Sequence, residues 1–458
     1  MKKSIIFIVI LIAVIATLPI IGNSFMKKTI DKKVDSLSSY GVQIKSQTTD
    51  SSYLSTDRHF EFLLQDTESF IAYLSQYSDK QIPPYVNAML DGVVVGADIT
   101  YNNLPFSKAL NIELYPLSIS DDFKNKIKKE NPAFEIYLSE FLQSKGILYH
   151  INYNLLNDKF KGYIKDIVTS YNFDKDVKIV FDLKGATFTG EGEILAPTEI
   201  NSKINSFHVD LTNKKRSLNF NLLNLSSQNK FDSKNSYTTA MQVKDLVVNL
   251  SGTDSDANIS VKNIDISASS DDKKMKSELK SRVKFKEFHI DSKEKALNMK
   301  EFVFELSIDK LDKNRFEFFR LIASKNNLSN SSKYKRDLQT ALTQLLEKGL
   351  EINVKEFSIK DVEINKIGNL KGFDIGTKII IKEDPSLAQK ISLSPLMAIE
   401  DLEMYTKIKI NKKMYSYIMQ SSGVFNQFNS YAKENGEDVI FEIDFVNTKM
   451  SINGKALN

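Results

Sequence analysis

The chain has 458 residues, which is enough for roughly two to four domains and for a large buried core. Its 62 Lys and Arg residues nearly balance 58 Asp and Glu residues, and the two signs are interspersed, which argues against a nucleic-acid partner. The lack of Cys excludes disulfides, thiol catalysis and thiolate metal sites, and 41% hydrophobic residues exclude wholesale disorder.

An uncharged and mostly aliphatic run extends from Ser4 to Ile21, with two lysines on each side of it. A helix of this length covers a hydrocarbon core of about 30 Å, which the shorter apolar region of a signal peptide would not. We therefore predict a retained transmembrane anchor over residues 1–28. The side chains expected to face lipid include Ile5, Ile6, Phe7, Leu11, Val14, Leu18 and Ile21. Cleavage after Ala16 is the alternative.

The flanking lysines leave the positive-inside rule ambiguous, but short N-terminal tails usually stay in the cytoplasm. No second apolar run of spanning length occurs in the sequence. We therefore expect a single-pass protein of the bacterial inner membrane, with the bulk of the chain in the periplasm.

Alternation of apolar and polar residues dominates the chain from about residue 40 onward, as expected for strands that bury one face. The segments 302–309 and 402–410 are the clearest examples. We predict a mainly β (α+β) fold, a membrane-anchored ectodomain of long antiparallel meandering sheets with a few packed amphipathic helices. If the apolar surface of these two segments is open, it forms a groove lined by Phe302, Phe304, Leu306, Ile308, Leu402, Met404, Ile408 and Ile410.

A short word of one apolar residue, Lys, an acidic or amide residue and a second apolar residue recurs along the chain. Two polar residues between apolar ones break the alternation by one position, which predicts a bulge or a turn between strands. The spacing of the words is irregular, so a meander fits better than a solenoid of fixed period. They are Val243–Leu246, Val261–Ile264, Phe285–Phe288, Met299–Phe302 and Val354–Phe357.

Three segments have helical periodicity. The first begins at Asn131 as N-cap with Pro132 behind it, and stops at Gly146. The second opens at Asp337, carries an apolar stripe and stops at Gly349. The third covers about 413–433 and is expected to be broken at its glycine.

The most loop-like segments are 267–281 and 325–335, which are rich in Ser, Asp, Asn and Lys. We place the main division at the second of them. The prediction is a β-rich periplasmic region over 29–325 and a C-terminal α+β region over 326–458.

No arrangement of residues predicts a reaction. The four histidines, His59, His150, His208 and His289, are far apart in sequence and form no pair with metal-ligand spacing. No nucleophile motif occurs, so we expect no catalytic residues, no metal and no cofactor, with a hydrolase as a distant alternative.

Asn258 is the one candidate modification site. It lies in Asp256–Ser260, which fits the acidic-x-Asn-x-Ser/Thr pattern of bacterial N-glycosylation, and we expect this segment to be an exposed loop. In a chain so rich in Asn and Asp, a chance match is the alternative.

Three segments resemble the YdgA-like bacterial family of unknown function. They are Tyr40–Ile44 with Tyr53–Thr56, then Gly96–Tyr101 followed by Leu104–Phe106, and finally Met450–Lys455. The second segment lacks the His-Gly-Pro found in relatives. The resemblance covers almost the whole chain and implies an inner-membrane-anchored periplasmic protein, for which it supplies no catalytic residues.

The leading functional hypothesis is a non-enzymatic envelope protein that binds membrane lipid, or contributes to envelope maintenance, through an apolar β-sheet surface. The alternative is a closed β core in a module that binds or assembles another envelope protein. The sequence leaves the oligomeric state open.

Overall fold

The computed structural model describes residues 20, 23–77, 87, 89–104, 109–173, 176–194, 196–233, 235–252, 256–271, 276–293, 296–324, 332–365, 367–421 and 428–457. It confirms a mainly β chain built from long antiparallel meandering sheets. The chain divides into two compact units, Met1–Lys214 and Lys215–Asn458. The boundary expected at 325 therefore falls inside the second unit.

Unit 1 contains one meander. Its strands are β1 (Val42–Ser51), β2 (Ser55–Leu64), β3 (Val94–Asn102), β4 (Ala109–Ser118), β5 (Tyr149–Asn154), β6 (Lys159–Ile164), β7 (Ile167–Asn172), β8 (Lys178–Lys184), β9 (Ala186–Glu193) and β10 (Ala196–Thr212). Neighbours pair in chain order from β1 to β6, and β6 then pairs with β9. Strands β8 and β9 follow one another along β10, and β7 pairs with β8.

The longer helices of unit 1 in the described ranges are α1 (23–38), α2 (Thr67–Tyr77), α3 (Asp121–Glu130) and α4 (Pro132–Gln143). Met26, Ile30 and Val34 recur every fourth residue of α1, so they form one stripe. That stripe joins a core with Phe60 and Tyr101 of the sheet. Met26 is only 1% exposed, so the folded unit includes part of the segment 1–28 that was predicted to be the anchor.

The predicted start of α4 is confirmed, because the Asn131 side chain accepts a hydrogen bond of 3.0 Å from the Phe134 amide and Pro132 follows it. At the other end, Lys145 adopts the left-handed conformation with φ of 53°, and Gly146 comes one residue later. The left-handed residue after α4 is therefore Lys145 and not the predicted Gly146. A glycine is the usual residue in that conformation because a Cβ atom strains it.

Unit 2 contains a second meander with much longer strands. They are β11 (Arg216–Ser233), β12 (Ser236–Gly252), β13 (Ala257–Asp271), β14 (Lys276–Ser292), β15 (Ala296–Asp312), β16 (Leu350–Ile364), β17 (Gly368–Ile381), β18 (Leu402–Asn411), β19 (Lys433–Asn435), β20 (Asp438–Val446), β21 (Lys449–Ile452) and β22 (Lys455–Ala456). Pairing runs in order from β11 to β18, and β18 then pairs with β20.

The helices of unit 2 are α5 (Lys313–Ser324), α6 (Ser332–Leu346), α7 (Leu387–Leu393), a 3-10 helix (Pro395–Asp401) and α8 (Lys412–Ser421). The helix expected from Asp337 begins five residues earlier, and Gly349 with φ of 66° follows its end, as predicted. The third predicted helix corresponds to α8 up to Ser421. Its expected break at Gly423 lies outside the described residues.

Within the residues given above, none of the helices combines the length and the apolar character that crossing a membrane requires. The seven predicted anchor side chains lie outside the described residues.

Candidate functional site

One face of the unit 2 sheet is apolar along several neighbouring strands. Residues that are directly opposite on paired strands share a face, so the strand register defines it. One row across β14–β18 consists of Phe285, Phe302, Ile359, Phe373 and Ile410. A parallel row across β13–β17 consists of Val261, Phe288, Met299, Val362 and Leu370.

Between these two rows the pairing is interrupted at the recurring apolar-Lys-acidic word. Pairing skips Glu301 on β15 and Lys286 on β14, and Glu301 has φ of 53°, as Asn263 does at 51° in the word of β13. Both strands skip one residue there and pairing resumes in the same register, so the alternation is broken without a bulge. The predicted bulge is confirmed instead at Val354–Phe357, where the register shifts by one residue. Met299 and Phe373 lie in one core cluster, which places both apolar rows on the same face. Because of this irregularity, the apolar side chains before and after it lie on the same face of the sheet. With strict alternation, one of the two rows would point to the opposite face.

Four polar residues of these words, continued by Asp361 and Lys371, form a charge ladder on the sheet. The row alternates in sign, and each member is opposite the next: Asp245, Lys262, Glu287, Lys300, Asp361 and Lys371. Lys262 Nζ lies 2.9 Å from Glu287 Oε2, and Lys371 Nζ lies 2.8 Å from Asp361 Oδ1. Because exposed ion pairs stabilise little, the main effect of the ladder is to fix the register, since a slip by one residue would place like charges side by side.

Helical segments meet the apolar face near two of its borders. Phe316 and Phe319 of α5 and Leu345 of α6 pack with Leu279 and Ile308 of the sheet. Met414 and Ile418 of α8 pack in a second cluster with Ile410, Val439 and Phe441. Of the described residues of β11–β14, Leu279 alone belongs to these two clusters.

An aromatic belt of five phenylalanines extends across the apolar face from the α8 cluster, to which Phe373 belongs. Its members are Phe285, Phe302, Phe304, Phe357 and Phe373. The rings of Phe285 and Phe302 stack with centroids 4.5 Å apart, and Phe357 meets Phe373 at 5.1 Å. All five side chains are half-buried. Aromatic contacts of this kind add about 0.5–1.5 kcal/mol beyond area burial, so the belt is ordered even though it is partly open.

The structure places the eight predicted groove residues on one face, because segments 302–308 and 402–410 are joined row by row through β16 and β17. They differ in cover. Ile410 is buried at 7% exposure in the α8 cluster, with Ile408 packed against it, and Ile308 packs with α5 and α6. The remaining five, Phe302, Phe304, Leu306, Leu402 and Met404, are half-buried and in neither cluster.

Asn258 is exposed, but it is the second residue of β13 rather than part of a loop. Its backbone is opposite Asn249 on one side and Asp291 on the other, and its side-chain amide donates to Asn249 Oδ1. The expectation of a loop was wrong because β13 pairs with strands on both sides from Ala257 onward.

Sequence reasoning missed a polar row in unit 1. His59, Asp98, Glu113 and His150 are directly opposite one another on β2, β3, β4 and β5. His59 Nδ1 lies 2.6 Å from Asp98 Oδ1, and Lys145 Nζ lies 2.7 Å from Asp98 Oδ2 and 2.9 Å from Glu113 Oε2. Nothing in a single sequence aligns residues so far apart, because only the strand register brings them together.

Ion pairs and hydrogen bonds within this row shift the pKa values of its members. Burial acts to raise the pKa of Asp98, but hydrogen bonds from Lys145, His59 and Tyr115 outweigh it and leave the pKa below its ordinary value. Burial, with the hydrogen bond that Tyr115 donates to Asp98, raises the pKa of the Tyr115 phenol to about 12. Such a phenol is no nucleophile near neutral pH. Hydrogen bonds to the two carboxylates raise the pKa of Lys145 despite its partial burial, so its amine stays protonated near neutral pH.

Histidine is a common metal ligand, and this row contains His59 and His150. The ammonium of Lys145, however, lies between the carboxylates of Asp98 and Glu113. Among the described residues, no group of three or more His, Asp or Glu side chains has the geometry to hold a metal ion. The row is therefore best understood as an ion-paired network on the polar side of the sheet.

No family model, curated protein or solved structure matches this chain.

Proposed function

We propose that this protein is a non-enzymatic bacterial envelope protein, anchored in the inner membrane, whose second unit binds lipid acyl chains on the apolar face of its sheet. The observation that carries the proposal is the solvent exposure of the apolar side chains on that face. In the described parts of β11–β14, Val243 at 5% exposure is the only buried hydrophobic side chain. The other apolar residues there are partly open to solvent.

Acyl chains suit such a face for two reasons. Apolar area gains about 25 cal/mol per Å² when it leaves water, so a broad uncovered face favours an apolar ligand. Strands of 15 to 18 residues span about 50–60 Å at roughly 3.3 Å per residue. The acyl chains of one leaflet fill only about 15 Å, half of a hydrocarbon core of about 30 Å, so the face is long enough to hold several chains. The sequence run Ser4–Ile21 and the resemblance to the YdgA-like family support the same membrane setting.

The chain contains no Trp, so a single introduced tryptophan reports on one place. We expect the fluorescence of a Phe304→Trp variant of the full chain to be quenched when brominated fatty acid is added, because bromine quenches only on contact. Tyr405→Trp is the matched control, since Tyr405 is 39% exposed and follows Met404 on the opposite face of β18. Equal quenching of both variants would contradict binding on the apolar face.

A second experiment measures lipid carried by the purified full chain. Mass spectrometry of extracted lipid should show less phospholipid or fatty acid with Phe304→Asp than with Tyr405→Asp, because a charge in the aromatic belt repels acyl chains. If Phe304→Asp unfolds unit 2, the belt is a sealed core. A lipid-free wild-type chain that copurifies with a defined envelope protein would favour the interaction-module alternative.

A further inference from the structure

The turns at one end of the unit 1 sheet carry large exposed apolar side chains. Tyr53 and Leu54 form the tip of the β1–β2 hairpin and are 55% and 56% exposed. The Asn103 amide donates a 2.8 Å hydrogen bond to the Leu54 carbonyl, so Leu104, 44% exposed, lies beside them. The turn between β5 and β6 is at the same end of the sheet by register, and its Leu156 is 64% exposed.

The described part of helix α1 starts at this same end of the sheet, at Asn23. Asn23 donates a 3.0 Å hydrogen bond to Ser51 Oγ at the end of β1 and accepts one of 2.9 Å from the Tyr101 hydroxyl at the end of β3. Phe25, in the first turn of the described helix, is 55% exposed. We use the term apolar tip for the five side chains Phe25, Tyr53, Leu54, Leu104 and Leu156.

A buried polar network fixes the hairpin to its surroundings. Thr56, with 0% exposure, contacts Ser51 Oγ at 2.7 Å and donates 2.8 Å to Asn103 Oδ1. Asn103, with 1% exposure, in turn donates 2.8 Å to the Ser52 carbonyl. Because buried polar groups are costly to leave unpaired, the hairpin cannot move from the start of α1 without breaking this network.

We infer that the apolar tip enters the interfacial layer of the bilayer that holds the N-terminal anchor. This inference rests on the proposed anchor. The apolar run of the sequence ends at Ile21, two residues before Asn23, so the tip lies at the level where that run meets the folded unit. A tyrosine with an apolar body and a polar hydroxyl suits this layer. Lys27 and Lys28 are exposed on the next turn of α1, at a height suited to lipid phosphates.

The occupant is a lipid surface rather than a protein for a geometric reason. The five side chains come from four separate segments that end at one level, and bilayers accept such flat, irregular sets of apolar side chains without shape complementarity. The proposal thus assigns unit 1 a fixed, upright orientation, with β1–β4 running away from the membrane.

The test uses the full chain reconstituted in vesicles of phosphatidylcholine and phosphatidylglycerol. We expect Tyr53→Trp fluorescence to fall by half or more when the lipids are brominated near the headgroup, relative to unbrominated lipids. Val168→Trp is the matched control. Val168 is 65% exposed, and its strand β7 continues beyond the end of the sheet opposite the tip. Its fluorescence should not change.

The outcomes separate this inference from the anchor on which it rests. If the chain fails to float with the vesicles and washes off at alkaline pH, both the anchor and the apolar tip are overturned. If the chain floats and Tyr53→Trp is not quenched, the tip alone is overturned. Quenching of Val168→Trp to the same degree would show a unit lying flat on the surface and would also overturn the upright docking.

Discussion

The two units have the same alternating strand pattern and differ in what covers the apolar face. In unit 1, Phe60, Ala97 and Tyr101 are 0%, 2% and 2% exposed beneath α1. In unit 2, the described apolar residues of β11–β14 are half-buried or exposed, apart from the buried Val243. Alternation in a sequence therefore tells which face is apolar, but burial depends on whether another element lies on that face.

The largest expected effect concerns matched phenylalanines. Phe60→Ala should destabilise unit 1 by about 3–5 kcal/mol, because it leaves a cavity in a sealed core. Phe304→Ala should destabilise unit 2 by roughly 1–2 kcal/mol, since a half-exposed ring buries less area. Hydrogen exchange measured by mass spectrometry reads each unit separately through peptides of β2–β3 and β14–β16. Equal losses would mean that the aromatic belt is as sealed as the core of unit 1.

Removal of one partner of an ion pair should also destabilise the two units to different degrees, with smaller effects than the phenylalanine substitutions. Arg58 is 4% exposed, pairs with Asp31 at 2.7 Å, and lies 4.7 Å over the Phe60 ring. Asp31→Asn should cost unit 1 about 3 kcal/mol, because the guanidinium stays buried without its counterion. Glu287→Gln removes the partner of Lys262 in the charge ladder of unit 2 and should destabilise unit 2 far less than Asp31→Asn destabilises unit 1, because this pair is exposed to solvent.

Urea unfolding monitored by the same exchange peptides checks these values. Adding Arg58→Met to Asp31→Asn should restore part of the lost stability, because no buried charge then remains unpaired. A double variant as unstable as the single one would show that the packing of the Arg58 side chain, rather than its charge, stabilises unit 1.

The smallest expected effect is on the pH dependence of the stability of unit 1, through Asp98 and Lys145 of its polar row. The pKa of Asp98 is lowered from its ordinary value of 3.8, so its stabilisation is complete above pH 3.8 and lost as pH falls through the folded-state pKa. The pKa of Lys145 is raised from 10.5, so its stabilisation is complete below pH 10.5 and lost as pH rises further.

Asp98→Asn should therefore lessen the loss of unit 1 stability between about pH 5 and pH 2, by less than about 1 kcal/mol because the pair is one-third exposed. Thermal unfolding across this range, with the acid limb of wild type as reference, checks the prediction. An unchanged acid limb would assign the acid sensitivity to other carboxylates.

What the sequence predicts follows from local physics. The Asn131 cap, the stop near Gly349, the bulge at Val354–Phe357 and the apolar alternation within each of the segments 302–308 and 402–410 all depend on neighbouring residues. The division at Lys214 and the row from His59 to His150 depend on pairings between distant strands. Helices α2, α3 and α5 were missed because their apolar periodicity is short, and tertiary packing decides such segments.

Nearest-neighbour pairing has a consequence for how the chain folds. From β11 to β18 each strand pairs with the one synthesised just before it. Few contacts require residues that lie far along the chain. The sheet can therefore extend one hairpin at a time while the chain is still being synthesised. Throughout that growth, the most recent strand presents an unpaired edge. The long strands of unit 2 thus make slow or stalled synthesis the stage most exposed to wrong pairing between chains.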